Sequence, residues 1–144
     1  MLHTIHVDGK KMTRCNMADS EKITINMSVV DLGKVDLLVD EGFYSNRTDF
    51  IRTGIRNLLD KHADEVKQTV TRKTMAVGVV MYGRTYLEER RAAGEKVSAW
   101  VVGSLIIESD VSVELALDTI ESIKVYGVLK ASDKVKNALM SRIL

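Results

Sequence analysis

One alternating stretch, with nothing nearby to pair with, limits what this chain can fold into. In Lys22-Ile23-Thr24-Ile25-Asn26-Met27, polar and apolar residues alternate with a period of two. That is the pattern of a strand with one apolar face and one hydrogen-bonding face. A lone strand leaves both edges unsatisfied. A helical pattern follows at once, so no neighbouring segment offers a hairpin partner. The same strand of a second chain meets the need. The resulting antiparallel ribbon would bury Ile23, Ile25 and Met27 in a dimer core. It would display Lys22, Thr24 and Asn26 twice on its outer face. A two-stranded ribbon fits the major groove of double-stranded DNA, where such side chains reach base edges.

Two helices are expected next. Ser28 with Asp31 three residues on is a capping-box-like start, and Val30, Val35, Leu37, Leu38 and Val39 supply an apolar stripe. Gly42 stands where such a helix stops. Asn46, with Asp49 at the third helical position, starts the second helix, and Phe50, Ile51, Ile55, Leu58 and Leu59 recur at helical spacing. Phe50, Ile51 and Ile55 join the expected dimer core. Gly54 inside this helix costs about 1 kcal/mol relative to Ala, which a close helix crossing at the dimer interface would explain. The unbonded amides at the second helix's N-terminus suit a phosphate oxygen.

This segment resembles the ribbon-helix-helix domain of CopG-like transcriptional regulators. The Ile-Thr-Ile-Asn-Met strand, the Ser28 cap and the run Gly-Phe-Tyr-Ser-Asn-Arg-Thr-Asp-Phe-Ile-Arg from Gly42 to Arg52 carry the resemblance. It implies base contacts from Lys22, Thr24 and Asn26, and phosphate contacts from Ser45, Asn46, Arg47 and Thr48. It covers roughly the first half of the chain.

The remainder sets the other expectations. The 144 residues carry a formal net charge of only +1, so basic residues must act locally rather than through a global field. The single cysteine, Cys15, excludes an intrachain disulfide. The chain shows no charged-then-apolar leader and no apolar run near 18 residues, which points to the cytoplasm and away from membranes. Residues 1–20 read as an arm, solvated or touching DNA phosphates. In it His3, Ile5 and Val7 suit a short strand, Asp8-Gly9 a turn, and Lys10, Lys11 and Arg14 follow. Residues 63–74 read as a helix tail and linker. His3, His6, His62 and Cys15 raise the question of metal, because one regulator of this broad class senses nickel. The second half has neither His nor Cys, so no metal and no cofactor is expected.

From residue 75 a repeat appears. Val101, Gly103, Leu105, Val111 and Leu115 recur as Val125, Gly127, Leu129, Val135 and Leu139, an offset of 24 residues. A looser copy starts at Ala76-Val77-Gly78-Val79-Val80, continues in a helix over 85–93, and closes at Gly94. Each unit reads as a strand then a helix, the last two helices over 110–120, with Asp110 as cap, and 134–144. The run 97–107 is apolar on both faces, as an internal strand is. Such units suggest parallel strands in a solenoid-like stack or a small compact sheet. Gly103 and Gly127 suggest close approach of backbone to a neighbouring layer. Glu88-Glu89-Arg90-Arg91 reads as a solvated helix face. No phosphate loop, nucleophile motif or other catalytic set is found, so no enzyme is expected.

The expected fold class is α+β: a ribbon-helix-helix domain over 21–62, and a βα-repeat oligomerisation domain over 75–144. The expected function is sequence-specific DNA binding by a homodimer, acting as a repressor by occlusion, with higher oligomers formed through the repeats. An antitoxin or partition-type protein, or a polymerising structural protein that uses the ribbon as a dimeriser, remains open. So does a small-molecule or protein partner at the C-terminal domain.

Overall fold

The computed structural model describes residues 20–144 and the backbone of residues 6–7 and 10–11. β1 (His6–Val7) pairs antiparallel with β2 (Lys10–Lys11), on either side of Asp8-Gly9. The other expectations for the arm, on His3, Ile5, Arg14 and Cys15, lie outside the described residues.

Residues 20–28 form no strand within the single chain, and Ile23 and Ile25 are 70% and 53% exposed. The two expected helices follow. α1 (Val29–Asp40) is capped by Ser28, whose Oγ accepts from the Asp31 amide at 3.1 Å and donates to the Asp31 carboxylate at 2.7 Å. It ends in a Schellman turn. Phe43 N–H donates to Leu38 O and Gly42 N–H to Val39 O, with Gly42 at φ +81°. α2 (Arg47–Lys61) starts at the Asn46 cap. The expected helix tail and linker is helical over most of its length and forms a helix of its own, α3 (Ala63–Arg72), separated from α2 at His62. Among residues 20–74, Val35 alone is buried.

Residues 75–144 are built differently. β3 (Ala76–Tyr82), α4 (Arg84–Ala92), β4 (Val97–Ile107), α5 (Val113–Thr119), β5 (Ile120–Lys130) and α6 (Asp133–Ala138) alternate along the chain. The three strands form one parallel sheet in the order β3-β4-β5, which places the doubly apolar β4 in the centre. The sequence repeat is the strand register itself: Gly78 lies opposite Gly103, and Gly103 opposite Gly127. α4 packs on α5 and α5 on α6, and all three cover one face of the sheet. Leu87, Leu115 and Val135 from the helices meet Val101, Leu105 and Ile123 from the strands in a common core. The other face stays open, with Val77 and Tyr126 each 50% exposed on either side of Val102.

Three expectations for this half change. α5 begins after Ser112, whose Oγ accepts from the Leu115 amide at 3.2 Å, so Ser112 and not Asp110 is the cap. Asp110 was an equally good capping residue two positions early. The last helix ends at Ala138, not at Leu144. A 3-10 turn over Met140–Arg142 follows, and Leu144 N–H donates to Ile123 O at 2.8 Å, so the chain folds back along β5. Leu139, which recurs from Leu115 in the repeat, is buried in the core. The close approach at Gly103 and Gly127 is to the adjacent strand of the same sheet rather than to another layer. A Cβ at Gly103 would lie 2.9 Å from the Gly78 carbonyl carbon, and one at Gly127 3.0 Å from that of Gly103.

The C-terminal turn is tied down by one side chain. The Arg142 guanidinium donates to Leu117 O at 2.6 Å and also to Ile120 O. These carbonyls lie at the C-terminal end of α5, where a helix leaves acceptors unsatisfied.

Candidate nucleic-acid interface

Two neighbouring pieces carry the expected contacts. In the first, Lys22, Thr24 and Asn26 stand at alternate positions of the 20–28 segment, all exposed. The apolar residues between them are exposed as well, so nothing among the described residues occupies the side that a dimer would cover.

The second piece is the start of α2. Asn46 is extended, at φ −167°, and its Oδ1 accepts from the Asp49 amide at 2.9 Å. The Asp49 carboxylate in turn accepts from the Ser45 amide at 3.1 Å. This reciprocal pair fixes the turn into the helix, as a capping box does. The amides of Arg47 and Thr48 are then the first of the helix and lie outside its internal ladder. Tyr44 packs edge-on against Phe50 with ring centroids 5.0 Å apart, which anchors the same turn from the apolar side. Ser45, Asn46, Arg47 and Thr48 are thus held together on one exposed turn.

Arg47 has a second engagement. Its Nε lies 2.5 Å from Asp36 Oδ1, and a terminal nitrogen 2.6 Å from Oδ2. This two-pronged bond to Arg47 holds the Asp36 carboxyl below the usual carboxylate range, and it raises the guanidinium's own value. Both partners are half-exposed, so the pair orients α1 against α2 and adds little stability. A phosphate near Arg47 would share the guanidinium with Asp36.

The residues expected in a dimer core on α2 differ in exposure within the single chain. Phe50 and Ile51 are partly covered within the chain, whereas Ile55 is 43% exposed, and Gly54 has open space around it. Arg52 and Arg56 are exposed cations one turn apart on the same helix.

Among the described residues no group of three or more His, Cys, Asp or Glu could hold a metal ion, and no helix is long and apolar enough to cross a membrane.

Residues 18–136 match the model of the Ribbon-Helix-Helix transcriptional regulator family. The match runs through both halves, so the βα repeats fall within it. A 45-residue stretch is 29% identical to the transcriptional regulator CdrS of Halobacterium salinarum (strain ATCC 700922 / JCM 11081 / NRC-1), covering 31% of this chain and 82% of that protein. No solved structure matches the chain.

Proposed function

This chain belongs to the ribbon-helix-helix family of transcriptional regulators, and from that premise we propose that it reads the major groove as a homodimer. The burial pattern carries the reading. Fifty-odd residues with Val35 as the one buried side chain cannot form a stable unit alone. Ile23, Ile25, Met27 and Ile55 offer the apolar surface that a second copy would cover. Pairing residues 22–27 across the dimer turns Lys22, Thr24 and Asn26 to one side as the base-reading set. The capped start of α2 serves as the backbone clamp, with Ser45, Asn46, Arg47 and Thr48 around it. Binding over an operator represses by occlusion.

The C-terminal half joins dimers in the same reading. Its core is self-contained, and the open sheet face around Val102 is the apolar surface it offers to another copy. Side-by-side dimers then gain affinity through effective concentration. Light scattering on a 75–144 fragment over a range of concentrations tests this. Association is expected, and a folded, strictly monomeric fragment would remove the linking role.

The readout test begins with recovery of DNA fragments bound in the cell. Binding is then measured on one recovered duplex. Thr24→Ala and Asn26→Ala should each cost about 1–3 kcal/mol and relax specificity. Lys22→Ala should lower affinity or the salt slope, according to whether it meets a base or a phosphate. Isotherms unchanged in all three variants would place the reading face elsewhere.

A further inference from the structure

A cavity of about 760 Å³ opens beside β3, and three features of the fold produce it. β3 begins at Ala76 opposite Val101, whereas β5 accompanies β4 from Val97. The first four residues of β4 therefore have a sheet neighbour on one side only. The end of α3 and the outer side of α4 stand beside that gap and wall it, through Val70, Thr71, Thr85 and Tyr86. The volume is that of a small-molecule site.

The lining is unusually aromatic for this chain. Aromatic residues make up 5% of the sequence, yet the single tryptophan, Trp100, and two of the four tyrosines line this one cavity. Tyr82 and Tyr86 are stacked with centroids 5.2 Å apart and planes 13° from parallel. Arg90 lies 5.2 Å over the Tyr86 ring and is bonded to Glu95. Flat π-surfaces of this kind favour a flat π-partner. Of the two charged residues at the wall, Arg90 is already bonded to Glu95, and Glu89 is exposed to solvent. An uncharged occupant fits them better than an ion.

A strained residue at the wall supports the same conclusion independently. α1, α3 and α4 all end in the same Schellman turn. The left-handed position is Gly42 after α1 and Gly94 after α4, but Thr74 after α3, at φ +51°. A β-branched residue is disfavoured there by roughly 1–2 kcal/mol, and such strain collects at ligand-binding positions. Thr74 itself lines the cavity.

We propose that this cavity binds a flat, uncharged, mainly aromatic small molecule, stacked beside Tyr86 and Trp100 and bounded by Thr74 and Thr85. The site goes beyond the DNA-binding reading and does not rest on it. Its test uses no DNA, so either can fail while the other stands.

The probe is N-phenyl-1-naphthylamine, an uncharged aromatic dye, titrated into the full-length protein. The expected result is saturable binding of one dye per chain, with sensitised dye emission on excitation of Trp100. Thr85→Phe fills the mouth from an exposed position and should weaken binding by about tenfold or more. Thr74→Gly relieves the backbone, so it keeps the fold while also losing affinity. Tyr126→Ala, on the open sheet face two strands away, should leave affinity within about twofold. Binding unaffected by Thr85→Phe, several dyes per chain, or equal loss in Tyr126→Ala would each overturn the proposal.

Discussion

Tyr82 shows how one residue reports the packing around it. It ends β3, is buried, and stacks on Tyr86. Burial pushes its phenol up to about 12, the neighbouring Tyr86 adds to the rise, and Arg90 opposes it. The folded value lies above the unfolded value near 10, so the fold favours the neutral phenol. The associated stability is therefore complete below about pH 10 and is lost as the pH rises through about 12. Two units correspond to roughly 2–3 kcal/mol. Absorbance titration of the phenolate band should show one late-ionising tyrosine, missing in Tyr82→Phe. That variant should also lose the alkaline decline in stability between those values. An unchanged late step in Tyr82→Phe would place the late ionisation on another tyrosine.

At the scale of elements, the glycine row across the sheet sets how closely the strands approach. Gly78, Gly103 and Gly127 all have positive φ, at +123°, +136° and +131°. At Gly103 and Gly127 an added Cβ would also strike the neighbouring strand's carbonyl, whereas at Gly78, on the edge, it meets nothing. Strain alone is worth about 1–3 kcal/mol, and a clash with backbone adds to it. Gly103→Ala and Gly127→Ala should therefore destabilise the C-terminal half clearly more than Gly78→Ala, as measured by denaturant unfolding. Equal losses at all three would show that φ alone matters. This row was legible in the sequence because the repeat offsets, 103 − 78 = 25 and 127 − 103 = 24 residues, are the strand register. α1, α2 and the three strands were legible from their caps and periodicity. α3 was legible only as a helix tail, from Val66 and Val70: its separate start was not, because its first residue follows His62, which makes no side-chain cap bond. The base-reading segment was legible as a pattern, although its partner strand belongs to another chain. The aromatic cavity was not, because α3, β3, α4 and β4 each contribute a part of it from separate stretches of sequence.

For the whole molecule, burial divides the chain into two halves of different kinds. Among the described residues, all the buried apolar ones except Val35 lie from Met75 onward. The C-terminal half has its own core, so its folding need not depend on the ribbon dimer. The segment 20–74 exposes Ile23, Ile25, Val30, Leu37, Leu58 and Leu59, and under the dimer reading it gains its core only on association. A unit that folds by dimerising has a melting temperature that rises with protein concentration. Calorimetry on the full chain should therefore resolve two transitions, the lower one moving upward as concentration increases. Ile25→Asp places a charge in the proposed dimer core, where an unpaired buried carboxylate is strongly unfavourable. It should erase the lower transition and abolish DNA binding while the upper transition persists. Sedimentation of the variant should show the ribbon dimer gone. One transition, unaltered by concentration and by Ile25→Asp, would mean that residues 20–74 are held by the C-terminal half of the same chain and not by a second copy.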